Sequence, residues 1–346
     1  MSVQIRFLAG ASLRTESRGL AACFYTGMVN RACHCHLLDA LYEFTHSVKY
    51  LPSIWVMLCC RQNMTTDISP PQEDGLPCAD DVGAWTEDKY NLVGLYDRLF
   101  STGMKNRWDC RVYIDLFAGP GVARVKGTRK LLWGSPLLAL QVKDRFDKYI
   151  FCERDGSYLD ALKVRVTRVS GQSNVSFIRG DCNEEVEQIC REIPRASTNY
   201  KVLSFCFVDP YDLSVRFSTI KRVSESYVDF LVLLALQMDA ARNLATYLNP
   251  NNRKLDEFLG RNDWRERWTR LQETMGFPRF LAEEYAAQMQ TLGYLAVPFD
   301  RMKQVRSDLR NLPLYRLALF SRHELAYQYW NEVLKYGTSQ GSFSWS

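Results

Sequence analysis

The chain has 346 residues, of which 47% are hydrophobic and 24% charged, and its formal net charge is +5 at pH 7. This length and composition allow one large core or two ordinary ones, and they exclude a disordered or low-complexity protein. The mild positive charge permits a nucleic-acid partner without indicating one.

Residues 1–63 differ from the rest in composition, because they hold five of the eleven cysteines and three of the four histidines. The cluster Cys33-His34-Cys35-His36 lacks the ligand spacing of a zinc site, so we expect no metal. An ordinary polar sequence starts at Met64, which indicates an extension outside the functional fold. Neither a secretory signal nor a span long enough for a membrane is present, so we expect a cytoplasmic protein with reduced thiols and no membrane partner.

Residues 64–81 are polar and rich in proline, which predicts a linker. Thr86 predicts the N-cap of a helix that places Leu92 and Tyr96 on one apolar face. Lys89 on this helix is expected to face solvent.

A glycine turn follows a strand-like segment at residues 112–121. The residues from Val112 are those of a buried parallel strand, and Asp115 lies near its carboxyl end. Gly119 and Gly121 come where an open α/β sheet leaves its first strand, and glycine there lets a ligand approach the backbone closely.

A basic loop follows the glycine turn, and a helix should begin after it at Ser135, as N-cap, with Pro136 at the first helical position. The loop could be a solvated excursion or a phosphate-facing lip of a cleft. Its basic residues are Arg124, Lys126, Arg129 and Lys130.

Strand and helix signals then alternate, with strands expected at 149–152, 175–178, 202–208 and 228–236. This alternation predicts an α/β fold with a doubly wound, mainly parallel sheet over residues 82–248.

Acidic residues stand at the ends of four strands, the earlier one that ends at Asp115 and the three at 149–152, 175–178 and 202–208. Ligands of such sheets bind beyond the carboxyl ends of the strands. A single acid at a strand end is often only solvated, but four in succession favour a nucleotide site. Glu153 would accept from ribose hydroxyls, Asp181 from an adenine amine, and the glycine turn would face a charged tail. The fourth acid is Asp209.

Two cofactors fit such a site, a nicotinamide dinucleotide and S-adenosylmethionine. The dinucleotide fingerprint requires a third glycine where Arg124 stands, and a ribose acid nearer than Glu153. Both departures favour S-adenosylmethionine.

The segment Asp209-Pro210-Tyr211 resembles the Asp-Pro-Pro-Tyr motif of methyltransferases that act on exocyclic amines of bases. That resemblance implies that Asp209 accepts the target N–H while Tyr211 stacks on a flipped base. One proline is missing here, and the alternative is that Tyr211 packs against its own turn.

Residues 249–346 show mainly helical signals and a basic stretch with apolar residues beside it, which predicts a helical or winged-helix-like module. Its basic face could contact phosphates, together with Arg124 and Lys126, or it could simply be solvated. The candidate contacts here are Arg301, Lys303, Arg306 and Arg310.

Over residues 82–346 the chain resembles the three-Cys-motif partner (TcmP) family, on the segments 115–121, 134–136, 180–181 and 208–211 together with Glu153. Trp85 with Lys89 and the late segment 313–330 also fit the family. The resemblance implies a Rossmann-like methyltransferase fold with a C-terminal winged-helix-like domain. It also implies a bacterial or phage-associated setting and a three-Cys-motif, radical S-adenosylmethionine-type partner protein. The cofactor-binding residues would be Asp115, Phe117, Ala118, Gly119, Gly121, Glu153, Asp181 and Cys182.

These patterns together predict an S-adenosylmethionine-dependent methyltransferase of an exocyclic base amine in DNA or RNA, with Asp209, Pro210 and Tyr211 as the catalytic segment. The alternative is a non-catalytic Rossmann-like module that binds a partner protein and DNA. Cofactor binding without turnover would favour that alternative.

Overall fold

The computed structural model describes residues 69–171, 174–307 and 311–339. The expected extension 1–63, its Cys-His cluster and Arg310 lie outside these residues. Within them, no helix is both long and apolar enough to cross a membrane.

Ten strands and ten α-helices make up the described part of the chain. The strands are β1 (Ala79–Val82), β2 (Cys110–Asp115), β3 (Val122–Val125), β4 (Leu131–Trp133), β5 (Lys148–Glu153), β6 (Val175–Arg179), β7 (Val202–Val208), β8 (Val228–Leu234), β9 (Lys303–Arg306) and β10 (Pro313–Phe320). The helices are α1 (Trp85–Met104), α2 (Ser135–Leu140), α3 (Gly156–Ser170), α4 (Val186–Glu192), α5 (Phe217–Val223), α6 (Leu244–Leu248), α7 (Lys254–Leu259), α8 (Trp264–Leu271), α9 (Phe277–Thr291) and α10 (Glu324–Ser339). A π-helical turn (Leu236–Ala240) and a 3₁₀ turn (Phe299–Arg301) complete them.

Seven strands form the central sheet in the order β6-β5-β2-β7-β8-β10-β9. The pairs among the first five strands are parallel, whereas β10 runs antiparallel to both of its neighbours. The doubly wound, mainly parallel α/β sheet is therefore confirmed. The chain moves outward in opposite directions on the two sides of β2, and such a switch point opens a crevice at the carboxyl ends of the strands.

The sheet is buried between two layers of helices, and this accounts for its sequence. Every residue of β2, β7 and β8 is buried, as expected for central parallel strands that read as continuous apolar runs. Helices α1, α2, α3 and α10 pack against one another in one group, and α4, α5, α7 and α9 in another. The aromatic rings of Tyr96, Phe100, Tyr113 and Phe205 meet between α1 and the sheet.

The predicted basic loop after the glycine turn is instead a hairpin. Strands β3 and β4 pair antiparallel, and β1 adds in parallel to make a small second sheet. The described part of the predicted linker, from residue 69, is also held in place. The buried guanidinium of Arg165 donates to Asp74 at 2.7 Å and to the carbonyls of Leu76 and Pro77.

Both predicted helix starts need correction by one or two residues. Helix α1 begins at Trp85 after Ala84, without a side-chain cap, and Thr86 is buried inside it. Helix α2 begins at Ser135 after Gly134, and the Ser135 hydroxyl donates to a carboxylate described below.

A separate winged-helix-like domain over 249–346 is not confirmed. Strands β9 and β10 belong to the central sheet, where β10 pairs with β8 from Arg316↔Leu234 to Phe320↔Phe230. Apart from the half-buried Arg316, residues 314–320 are apolar and buried, as in a central strand. The hydrogen bonds of β10 to β8 make this part of the C-terminal region a member of the same core.

Candidate functional site

A cleft of about 930 Å³ opens at the carboxyl ends of the parallel strands. The ends of β2, β5, β6 and β7 line one side, and the start of α1 lines the other. The cleft brings together ten of the eleven residues predicted for the cofactor and for catalysis. They are Phe117, Ala118, Gly119, Gly121, Glu153, Asp181, Cys182, Asp209, Pro210 and Tyr211.

The two glycines after β2 have different roles. Gly119 has φ +59°, and a Cβ built on it would meet no atom within 4 Å, so its face is open to the cleft. Gly121 has φ +81°, but a Cβ there would approach Leu162 at 2.8 Å and Leu137 at 2.9 Å. Ligand access therefore explains Gly119, whereas close packing of α2 and α3 on the turn also requires Gly121, a reason the sequence prediction lacked.

Glu153 at the end of β5 is fixed by two backbone donors. Its Oε2 accepts the Gly119 N–H at 2.8 Å, and its Oε1 accepts the Asp155 N–H at 2.7 Å. A carboxylate has about four lone-pair positions, so both oxygens can accept further hydrogen bonds. Its orientation is thus set, with capacity left for a pair of hydroxyl groups.

At the end of β6, Asp181 and Cys182 follow Gly180, whose φ is +150°. Asp181 Oδ1 accepts the Asn183 N–H at 2.8 Å, and the carboxylate remains partly exposed to the cleft. Cys182 is buried, and desolvation raises the pKa of its thiol to about 12. The thiol is therefore neutral and serves as a packing group at physiological pH.

Asp115 lies behind the cleft instead of lining it. It is fully buried, accepts the Ser135 hydroxyl at 2.6 Å and the Phe117 N–H at 3.1 Å, and burial raises its pKa to about 7. Its predicted role toward the cofactor stays a prediction. Its bonds connect the glycine turn to the start of α2, so Asp115 supports the turn.

At the end of β7, Tyr211 is exposed and Asp209 is nearly buried. The 82% exposure of Tyr211 means that the ring does not pack against its own turn, so that alternative is wrong. The Asp209 side chain is 11% exposed and forms an ion pair with Lys89, whose Nζ lies 2.5 Å from Oδ2. The Lys89 ammonium also lies 4.8 Å from the centre of the Tyr90 ring.

Lys89 was expected to face solvent and was given no role in the site, although it was among the residues that fit the TcmP family. It is 8% exposed and lines the cleft. A signal was present, since Lys89 precedes Leu92 by three residues and so continues the apolar face of Leu92 and Tyr96 on α1. A lysine on a buried face requires an acidic partner.

The basic residues predicted to contact phosphates differ in their partners and in their exposure to solvent. Arg124 forms ion pairs with Glu73 and Asp80 at 2.8 and 2.5 Å, so it anchors the segment before β1. The Arg306 guanidinium donates to Asn311. Lys126 and Arg301 are exposed, and Lys303 is partly exposed.

No family model and no curated protein matches the sequence. Among solved structures, the chain is similar to protein LPL1258 from Legionella pneumophila, with 11% identity over 72% of this chain and 91% of that one and a TM-score of 0.42. It is also similar to an O-methyltransferase from Bacillus cereus in complex with S-adenosylhomocysteine (9% identity, 82% and 97% coverage, TM-score 0.38) and to Trm1 from Pyrococcus horikoshii with S-adenosylmethionine (9%, 71% and 57%, 0.37). At these scores the likenesses carry no argument about chemistry.

Proposed function

We propose that this protein is an S-adenosylmethionine-dependent methyltransferase that modifies an exocyclic amine of a nucleic-acid base. The observation that carries the proposal is the placement of Asp209 and the exposed Tyr211 in the same cleft as the open Gly119 turn and the oriented Glu153.

The cofactor half of the cleft fits S-adenosylmethionine in three places. The open face of Gly119 leaves room for the amino-acid tail beside the backbone. Glu153 presents two fixed oxygens to the ribose hydroxyls, and Asp181 offers an acceptor to the adenine amine. When bound, the cofactor supplies an electrophilic methyl group on a sulfonium sulfur.

The acceptor half fits a flipped base. The Tyr211 ring offers an exposed face for stacking, and the Asp209 carboxylate accepts an N–H from the amine. That bond directs the amine lone pair toward the methyl group. S-adenosylmethionine held there would supply the methyl group to the amine, and Asp209 would accept the proton that the amine loses and pass it to water.

The partner assignment extends the proposal. The resemblance of segments 115–121 and 208–211 to the TcmP family supports membership in that family and a three-Cys-motif, radical S-adenosylmethionine-type partner in a bacterial or phage setting. The exposed Lys126 and Arg301 support contact with nucleic-acid phosphates.

A second candidate function, a non-catalytic binding module, is favoured by the Lys89–Asp209 ion pair. Lys89 occupies one oxygen of the carboxylate that the reaction needs. The two functions are separated by incubating the purified protein with methyl-labelled cofactor and with DNA, RNA or the three-cysteine partner protein. Label transferred to a base amine supports the enzyme, and cofactor binding with no transfer to any of the three supports the module.

A further inference from the structure

The Lys89–Asp209 pair places a hydrogen-bond donor and an acceptor side by side in the wall of the cleft. The Nζ–Oδ2 distance is 2.5 Å, and each side chain is 11% exposed. The two residues come from different elements, since Lys89 is on α1 and Asp209 follows β7. The two residues are therefore distant in sequence and are brought together by the fold.

Both groups retain hydrogen-bonding capacity after they pair. An ammonium has three N–H donors, and Asp209 is the one acceptor of Lys89 found among the described residues. Asp209 Oδ1 has no donor in that same part of the chain. Because both side chains line the cleft, a bound base can reach the spare donor and the spare acceptor together.

We infer that Lys89 is a specificity-determining residue that reads the ring nitrogen next to the reactive amine. This inference rests on the proposed function and narrows its substrate to bases whose Watson–Crick edge places the amine beside an unprotonated ring nitrogen, since that is the edge by which flipped bases are read. Adenine has that arrangement at N6 and N1, and cytosine at N4 and N3. Asp209 accepts from the amine while Lys89 donates to the ring nitrogen. The pair thus presents an acceptor and a donor together, as an asparagine amide does to N6 and N7 on the opposite edge of adenine.

Guanine does not match the pair. On its Watson–Crick edge the neighbour of the N2 amine is the N1–H donor, which would face the Lys89 ammonium. Two facing donors cannot bond to each other, so this edge disfavours guanine, whose N2 amine meets an unprotonated nitrogen only at N3, on the sugar side of the base.

The test measures kcat/KM for methyl transfer to single-stranded DNA and RNA oligonucleotides that carry one amino base each. Adenine is compared with 1-deazaadenine, which replaces the N1 acceptor by C–H, and with 7-deazaadenine, which alters the ring but keeps N1. The same comparison for cytosine uses 3-deazacytosine. We expect the 1-deaza or 3-deaza base to react about 10- to 100-fold more slowly, the size of one good base-edge contact, and 7-deazaadenine to react almost normally.

Variants of Lys89 then assign the effect to its side chain. Lys89→Met should treat adenine and 1-deazaadenine alike, while Lys89→Gln, which keeps an N–H donor, should retain part of the preference. Thermal unfolding and cofactor titration of each variant establish that the cleft is intact. If Lys89→Met does not fold, the rates of the native protein on adenine, 1-deazaadenine and 7-deazaadenine decide whether the ring nitrogen is read.

Four results would overturn the inference. They are equal native rates on adenine and 1-deazaadenine, equal native rates on cytosine and 3-deazacytosine, full discrimination by Lys89→Met, and guanine as the preferred base. A protein that methylates guanine refutes the role of Lys89 and leaves the methyltransferase assignment standing. A protein that binds cofactor and methylates no base refutes the proposed function, and the inference fails with it.

Discussion

Glu153 accepts the Gly119 N–H at 2.8 Å and thereby connects the end of β5 to the turn that follows β2. The bond fixes the orientation of the carboxylate relative to the turn. Preorganisation of this kind reduces the cost of ordering a binding site, so Glu153 should affect affinity more than stability.

Glu153→Ala should weaken S-adenosylmethionine binding by about 1.5 to 3 kcal/mol, the range for hydrogen bonds to a charged group. Isothermal titration calorimetry measures the change. Asp160→Ala is the matched control, because Asp160 is an exposed acid on α3 that pairs with Lys163. Equal affinity in the native protein and in Glu153→Ala would refute the cofactor site.

Substitutions at the two glycines should separate binding from stability. Both have positive φ, so Gly119→Ala and Gly121→Ala share a similar backbone strain. Gly121→Ala adds a clash with Leu137 and Leu162, so urea unfolding should show an extra loss of about 1 to 3 kcal/mol, as for overpacked cores. Gly119→Val should instead abolish cofactor binding, because its side chain enters the open face. Equal stability of the two alanine variants would contradict the packing role of Gly121.

Much of this architecture could be predicted from the sequence, because local signals and global fold agree in the first part of the chain. The apolar segment 202–208 corresponds to β7 without change, and Gly119, Glu153 and Tyr211 reach one cleft because parallel strands share an edge. Strand β10 could not be predicted, because a short and mostly apolar segment has the same sequence pattern in a buried strand and in a buried helix.

The sequence also could not predict contacts between residues that are far apart along the chain. Lys89 and Asp209 are 120 positions apart, and their contact depends on how α1 packs against the end of β7. Asp115 was predicted to touch the cofactor from its position at a strand end. Its burial and its bond to Ser135 follow only from the docking of α2 on the turn.

The buried carboxyl of Asp115 should make stability depend on pH. Its folded pKa of about 7 exceeds the ordinary 3.8, so the folded state holds the proton more tightly, and the unfolding free energy should fall as pH rises from about 4 to about 7. Asp115→Asn should flatten this dependence and raise stability at pH 8 by about 2 to 4 kcal/mol, from 1.36 kcal/mol per pH unit. Urea midpoints at pH 5 and pH 8 measure it, with Asp160→Asn as control. An unchanged pH dependence would argue against the raised pKa.

Arg165 should hold the segment before β1 in place. Its buried guanidinium donates hydrogen bonds to the Asp74 carboxylate and to the backbone carbonyls of residues 76, 77 and 120. Asp74 is its one acidic partner among the described residues. Arg165→Met should cost about 3 to 5 kcal/mol of unfolding free energy, the range for breaking a buried ion pair. Hydrogen exchange should rise first over residues 74–82. The control is Arg168→Met, because Arg168 reaches the same Asp74 from an exposed position. Equal losses in both variants would count against the anchoring role.

Exposed basic residues should determine the salt dependence of nucleic-acid binding. Each phosphate contact contributes about 0.9 to the log–log slope, so replacing Arg301 and Lys303 by alanine should reduce it by roughly two. Arg270→Ala is the control, because Arg270 is exposed on α8 and pairs with Glu266. Filter binding at several salt concentrations gives the slope. A slope that the double substitution leaves unchanged would assign these residues to an ordinary solvated surface.

Asp209 distinguishes the enzyme from the binding module. If its carboxylate orients an amine, Asp209→Ala should leave cofactor affinity nearly unchanged and reduce methyl transfer about a hundredfold or more, on the order of 3 kcal/mol of transition-state positioning. The same variant leaves Lys89 without its partner in a largely buried site, so stability must be measured alongside turnover. Asp209→Asn keeps an acceptor and should fall between the native protein and the alanine variant in turnover.

Tyr211→Phe, which keeps the stacking ring, should be nearly neutral, whereas Tyr211→Ala should raise KM for the nucleic acid. Native protein that binds cofactor but methylates neither DNA nor RNA, even with a three-Cys-motif protein added, would make the binding module the better description, and these substitutions would then leave methyl transfer unchanged because there is none.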